Sequence, residues 1–566
     1  MKNKIILLFI GLICLFPAVA PFFDSRMPTF HDETQIANIH QYHQALSLGQ
    51  FPPRWASDMH FQYGSPFLEF NYQLPYYLTY TLSQLGLSIT WSFKMVMVLS
   101  LLVGFIGFFL LSLQFASPSI ALLGGLVYSY TPYRAVNLFV RGSLGESLAL
   151  AIFPFILLFL VRLNKKPSLK DAVFVGISAS LLFITHQPAT ILALPFIYIF
   201  SMGLALLTRR LKSFFLQIFS GVLALLLALF YWLPAILEKR YLAQTSPFNF
   251  YDHFPFIKQL IYSPWNYGGS VWGPYDNMSF QIGLINLLFI VIAIIVLILM
   301  IIWKKTKAGS FLPILLTLFV TALAVFLMNI RSSFFWNIFP FTQEIQFPWR
   351  LLMTTTLFTP LLGVLALPLL PLSKKYLHLL VFCLSFSAIA LNMFYFRPGD
   401  VLNRDDNFFL RSFLPVTALK PGETVSPLYL KHNEDYALLP NTAVSPVSLP
   451  ESKITAVLPD TEITADTSNP YHIKAKILSP FQDKITIHTF YFPGWLVYLD
   501  GSPTAITLNY YGAMTLVVPS GSHELLVRFT DTPVRQISNI ISLGSWVIAG
   551  VCLCLTFASK RGKRRN

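Results

Sequence analysis

Residues 5–34 read IILLFIGLICLFPAVAPFFDSRMPTFHDET: an apolar run that ends at Phe23, then two adjacent carboxylates, Asp32 and Glu33. A run of this length suits one crossing of a bilayer as helix, which takes about 20 residues at 1.5 Å each. Acidic side chains beside a bilayer lose hydration and repel one another, so a chain that keeps such a pair uses it as a base or a metal ligand. The plainer alternative is a helix start, because Asp and Glu both suit a first helical turn.

The rest of the chain repeats the apolar theme. Hydrophobic residues make up 55% and charged residues 11% of 566 positions, against roughly 25% charged in soluble domains. Mean hydropathy is +0.61. Clear apolar runs cover 5–22, 92–115, 144–163, 189–208, 213–235, 281–303, 310–328, 351–371, 376–396 and 537–558, and shorter ones lie near 119–131 and 172–186. Together they predict a polytopic α-helical membrane protein with about twelve transmembrane helices.

Lys and Arg set the orientation. Lys2 and Lys4, then Lys165, Lys166 and Lys170, then Arg209, Arg210 and Lys212 fall between runs, followed by Lys304, Lys305 and Lys307, by Lys374 and Lys375, and by a basic tail from Lys560 to Arg565. With twelve spans every cluster lands on the cytoplasmic side, both termini are inside, and Asp32 and Glu33 are outside. The net charge of +15 is then a topology signal rather than a mark of nucleic-acid binding. Ala18-Val19-Ala20 gives the N-terminus a secretory-signal character, and an uncleaved signal anchor is expected because multi-span proteins keep their first helix. All four cysteines lie in apolar runs, so disulfides are not expected.

The expected outer loops are 23–91, 132–143, 236–280, 329–350 and 397–536, which divides the chain into a transmembrane domain (1–396), an extracytoplasmic β-rich domain (397–536) and a final helix with basic tail (537–566). From Ile454 onward, alternating segments such as Ile485-Thr486-Ile487-His488 and Leu525-Leu526-Val527-Arg528-Phe529 are separated by Pro, Gly, Asp and Asn. Short strands at this spacing predict an antiparallel β-sandwich. In the first loop Ile36, Ile39, Tyr42, Leu46 and Leu48 form a helical apolar stripe, suited to a helix on the membrane surface.

Several motifs occur in order: His31-Asp32-Glu33, Pro52-Pro53-Arg54-Trp55, Tyr63-Gly64-Ser65-Pro66, Tyr133-Arg134, Gly145-Glu146-Ser147-Leu148-Ala149, Gln346-Phe347-Pro348-Trp349-Arg350 and Tyr491-Phe492-Pro493-Gly494-Trp495. With them the chain resembles, over nearly its whole length, the bacterial YfhO-like membrane proteins, also labelled "6-pyruvoyl-tetrahydropterin synthase-related". That group is similar to the GT-C superfamily of polyprenyl-phosphate-dependent glycosyltransferases. The pterin label has no counterpart in the residues, which offer neither a compact soluble domain nor a zinc-histidine set.

The resemblance implies a GT-C-like helical core whose acidic first outer loop is catalytic. It implies sugar transfer from a polyprenyl-phosphate donor to a cell-envelope glycan or lipid acceptor on the outer face of the cytoplasmic (inner) membrane. Asp32 is then the expected general base, Glu33 a second carboxylate that orients the acceptor or holds a cation, and Glu146 the next candidate. A phosphate leaving group needs positive charge, and Arg134, Arg141, Lys239, Arg240, Arg331 and Arg350 are exceptions to the positive-inside pattern that lie on the expected outer side close to span ends. Arg350 ranks first among them, because Phe347-Pro348-Trp349 restricts its backbone and arginine grips phosphate through two bonds. Each alone reads equally as an interface anchor.

His186 is a further candidate for donor phosphate, and Trp265 and Tyr267 offer aromatic faces for a sugar. Some GT-C relatives use a divalent cation and others do not; any Mg²⁺ or Mn²⁺ is expected at Asp32 and Glu33, with His40 and His43 a weaker ligand pair beside His31 and His60. The readings from other classes are a multi-span transporter or lipid flippase, disfavoured by span interiors almost free of charge, and a non-catalytic envelope-assembly factor, disfavoured by the intact acidic pair.

Overall fold

The structure is a computed structural model that describes residues 2–243, 249–274, 277–339, 345–414, 425–435 and 438–562. Lys563, Arg564 and Arg565 of the expected basic tail lie outside the described residues. Nine helices are long and apolar enough to cross a membrane among the described residues, and the pair Leu211–Leu227 and Leu229–Tyr241, bent by 68°, makes a tenth span if counted as one. The two shorter expected segments are helical as well, as Pro118–Ser129 and Leu169–Phe183. Helix is the form these runs take because a bilayer offers backbone N–H and C=O groups no partner outside their own segment.

Long-range contacts show that the segments alternate between two faces. On one face Lys94 Nζ at the start of Ile89–Ser112 donates to the Asp24 carbonyl at the end of the first span (2.8 Å). There too Asp32 N–H donates to the Arg141 carbonyl (2.9 Å), Gln73 N–H to the Ile184 carbonyl (2.8 Å), and Arg350 lies beside Glu146. On the opposite face Lys165 Nζ donates to the Gln114 carbonyl and Arg210 to the Asn164 carbonyl.

Burial separates central from peripheral helices. In Leu144–Lys165 and Pro348–Leu369, 89% and 94% of the most apolar stretch is buried, against 22% in both Lys374–Tyr395 and Pro533–Thr556. The peripheral helices keep bulky apolar side chains outward: Phe382 and Phe386 are 68% and 67% exposed, a surface suited to lipid.

The C-terminal region forms the expected sandwich. One antiparallel sheet runs in the order Ile454–Ala456, Asp483–Phe490, Ala513–Val518 and Thr507–Leu508. The other runs Glu462–Asp466, His472–Ser479, Gly521–Phe529, Trp495–Leu499 and Ser502–Pro503. Along His472–Ser479 exposed and buried residues alternate strictly, the period of a strand with one wet face. Ile473, Ile477, Ile485, Ile487, Leu516 and Val527 meet in the core between the sheets.

The juxtamembrane helix, Thr34–Ser47, departs from expectation. Ile36, Ile39 and Tyr42 are fully buried, within a core shared with the sandwich and with Phe409 and Phe413 of the Asp406–Phe413 helix. Its apolar stripe is therefore covered by protein rather than by a bilayer surface.

Three of the sequence motifs converge on one joint. The Trp55 ring lies 5.6 Å from Trp495, edge to face, and 5.7 Å from Phe529. Gly64, at φ +84°, sits where a Cβ would overlap the Trp55 indole. Beneath them runs a buried ion-pair chain. Arg54 Nη1 donates to Glu69 Oε1 (3.0 Å), Arg535 Nε stands 3.4 Å from Glu69 Oε2, and Arg535 Nη2 donates to Glu238 Oε2 (2.6 Å). This clasp ties the first loop, the bent helix pair and the final helix together, and it holds the sandwich over the face that carries the carboxylates.

Candidate active site

Helix ends assemble the site. The stretch Pro132–Ala135 and Val136–Arg141 closes on Gly142 at φ +66°, and Ser143 leads into Leu144–Lys165. Gly142 is required twice over: its conformation is left-handed, and a Cβ there would overlap the Phe30 ring, two residues before Asp32. The turn brings Arg141 and Glu146 together, with Nη1 donating to Oε2 at 2.6 Å. Tyr133 Oη donates to Glu146 Oε1, and Arg141 Nη1 also donates to Asn137 Oδ1 (2.6 Å).

Arg350 enters from the start of Pro348–Leu369. Its Nε lies 3.8 Å from Glu146 Oε2 and its Nη1 donates to the Ile345 carbonyl (2.8 Å). The Pro348–Leu351 turn that follows Phe347 sets it there. Trp349 forms a wall: its ring stacks on Phe347 at 5.0 Å, and Arg141 lies over it at 4.9 Å. Glu146, Arg141, Arg350 and His186 are all buried. His186 Nδ1 accepts the Ala189 N–H (3.2 Å) as cap of Gln187–Leu207, which leaves Nε2 to carry the proton.

Asp32 is partly buried beside this group and is fixed by its backbone bond to Arg141. Burial raises its carboxyl above the ordinary range, opposed by the charges of Arg141, His31 and Arg350. Glu33 turns away: its carboxylate pairs with Arg404, and burial still holds its pKa above the usual value. His31 Nε2 donates to the Tyr267 carbonyl (2.8 Å), and Trp265 stacks on Tyr395 at 4.6 Å. Tyr267 and Trp265 thus form the rim beside His31.

The structure brings Asp32, Arg141, Glu146, His186 and Arg350 together, with Trp265 and Tyr267 at the edge. It does not bring the other cations there. Arg134 is buried deeper between helices, where it donates to the Ser147 carbonyl (3.3 Å) and lies over Tyr128. Lys239 and Arg240 are exposed in the Lys239–Tyr241 turn, near Asn441, and Arg331 is exposed in Ile330–Ser332. Sequence reasoning assigned no role to Tyr133 or Asn137, although both precede Arg141 at helical spacing. It also passed over Arg404, whose signal was its place as a cation in the expected outer loop 397–536.

The cation-binding pair expected at Asp32 and Glu33 is not assembled. Among the described residues no three His, Cys, Asp or Glu side chains gather as ligands, and Glu33 is committed to Arg404 rather than to a site shared with Asp32. His40 lies 3.8 Å from Asp58, and His43 bonds Thr79 at 3.3 Å, so that pair has separate partners.

Comparison with known proteins adds solved structures only. The arabinofuranosyltransferase AftD from Mycobacteria is similar at 14% identity over 71% of this chain and 27% of that chain, with TM-score 0.43. ArnT from Cupriavidus metallidurans bound to undecaprenyl phosphate is similar at 13% identity over 68% of this chain and 62% of that chain, with TM-score 0.39. The chain thus spans about a quarter of the length of AftD and under two thirds of ArnT. No family model and no curated protein matches it. The family suggested by its motifs rests on those motifs alone.

Proposed function

We propose that the protein is a GT-C-type membrane glycosyltransferase. It moves a sugar from a polyprenyl-phosphate donor to a cell-envelope glycan or lipid on the outer face of a bacterial cytoplasmic membrane. The observation that carries this reading is one partly buried carboxylate, Asp32, within the field of two buried guanidinium groups, Arg141 and Arg350, at the ends of the central helices.

In the reaction an acceptor hydroxyl oxygen bonds to the anomeric carbon and the bond from that carbon to the phosphate oxygen breaks. Asp32 accepts the hydroxyl proton, and the polyprenyl phosphate departs with the electron pair. A carboxylate with a raised pKa is a stronger base than an ordinary one. Arg141 and Arg350 meet the charge that develops on the phosphate in a site where water is scarce. Glu146 is engaged by Tyr133, Asn137 and Arg141, so it acts as a positioning residue that gathers the two arginines, and the base role falls to Asp32.

The test is a panel of radiolabelled polyprenyl-phosphate sugars incubated with the purified protein and an envelope extract. Release of free lipid phosphate with label appearing in glycan or lipid is expected from one donor, and Asp32→Asn should lower it by at least roughly 10²-fold. No release from any donor, or a wild-type rate in Asp32→Asn, overturns the reading.

A further inference from the structure

Beside the Glu33–Arg404 pair lies a cleft of about 540 Å³ that the proposed reaction does not use, within the roughly 300–1,000 Å³ range of small-molecule sites. It opens between the start of Ile89–Ser112 and the residues that lead into Asp406–Phe413. Trp91, Ser88, Asn403, Arg404, Asp405 and Asp406 line it, and no Leu, Ile, Val or Met joins them among the described residues.

The walls are held in place. Asp406 accepts the N–H groups of Ile89 (2.8 Å) and Thr90 (2.9 Å), and so caps the helix that carries Trp91. Asp405 Oδ1 accepts the Phe408 N–H (2.9 Å). Lys94 Nζ lies 4.4 Å from the Trp91 ring centroid and is anchored by the carbonyls of Asp24 and Arg26. That fixes the indole while it still lines the cleft. Arg404, on the opposite wall, is pinned by Glu33 and lies over Phe408 at 4.6 Å.

The lining selects a ligand class. A wall without aliphatic side chains gives an acyl chain nothing to bury against. Two carboxylates against one guanidinium, itself already paired with Glu33, disfavour a phosphate or other anion. A ring that carries several hydroxyl groups suits it, because hydroxyls donate to Asp405 and accept from Asn403 and Arg404, while an apolar C–H face covers the indole.

We propose that this cleft is a saccharide subsite that holds a neutral, hydroxylated sugar ring on Trp91. Binding of the ring stands independently of the transferase reading above.

The test is titration of the full-length protein in detergent with methyl glycosides of glucose, galactose, mannose and N-acetylglucosamine, read by isothermal calorimetry. At least one glycoside should bind the wild type. Trp91→Ala should weaken it at least tenfold and Asn403→Ala should also weaken it, whereas Trp91→Phe, which keeps an aromatic face, should retain most of the affinity. An unchanged melting temperature in Asn403→Ala keeps the result interpretable if Trp91→Ala folds poorly. Binding by none of the four, or equal binding in wild type, Trp91→Ala and Asn403→Ala, overturns the subsite. Trp91-dependent binding without sugar transfer from any lipid donor leaves the subsite standing and overturns the transferase reading instead.

Discussion

Arg141 Nη1 and Glu146 Oε2 lie 2.6 Å apart across the left-handed turn at Gly142, inside the helix bundle. The same carboxylate has Arg350 Nε at 3.8 Å. One acidic side chain therefore holds two buried cations that would otherwise repel each other.

Glu146→Gln keeps the shape of that side chain and removes its charge. Leaving buried partners uncompensated costs about 3–5 kcal/mol. The variant should melt at clearly lower temperature in detergent and release little lipid phosphate. A wild-type melting curve would show that the two arginines do not depend on Glu146.

Asp32 links activity to pH with a definite sign. Burial raises its folded-state pKa, whereas the unfolded chain titrates near the ordinary value of about 3.9. The ionised base is lost as pH falls through the raised value, so the acidic limb of the kcat/KM profile should lie above about pH 4. The stability contribution of neutral Asp32 is fully present below the unfolded pKa and is lost as pH rises through the folded one. Asp32→Asn should therefore melt higher than wild type at pH 7 and lose that advantage in acid, while transferring sugar poorly. Melting curves across pH and rates on one donor check both halves.

Arg350→Lys should weaken donor binding nearly as much as Arg350→Ala. An ammonium group cannot reproduce a planar two-bond contact, and it gives up the position over Phe347. Glu33→Gln should be milder, since the Glu33–Arg404 pair is partly exposed and such pairs contribute little. Affinity for undecaprenyl phosphate, measured on all three variants, checks the order.

Arg535→Met should loosen the joint between sandwich and helices. It leaves Glu69 and Glu238 without the guanidinium that bridges them, again at about 3–5 kcal/mol. Faster proteolysis of the 454–529 region is expected, and wild-type resistance would deny the clasp its structural role.

Orientation can be read with reporter fusions. Fusions at Lys305 and Pro450 should give opposite signals, cytoplasmic and extracytoplasmic. Matching signals would remove both the topology and the outer-face chemistry built on it.

The sequence by itself determined the helical segments and the sandwich. Each is a local pattern. A run from Leu144 to Leu163 must be helix in lipid, and alternation such as Ile485-Thr486-Ile487 suits one buried strand face, whatever lies elsewhere. Partnership was another matter. Glu33 stands next to Asp32 in the chain, which suggests one acidic site; the fold instead turns Glu33 toward Arg404, 371 residues away. Arg54 and Trp55 stood out as a motif, but their partners Glu69, Arg535 and Trp495 are set by how the first loop packs under the sandwich. Of the six cations expected to meet phosphate, only Arg141 and Arg350 reach Glu146. Backbone periodicity is written residue by residue, whereas the neighbour of a charged side chain depends on which distant helix ends the whole bundle brings to the same place.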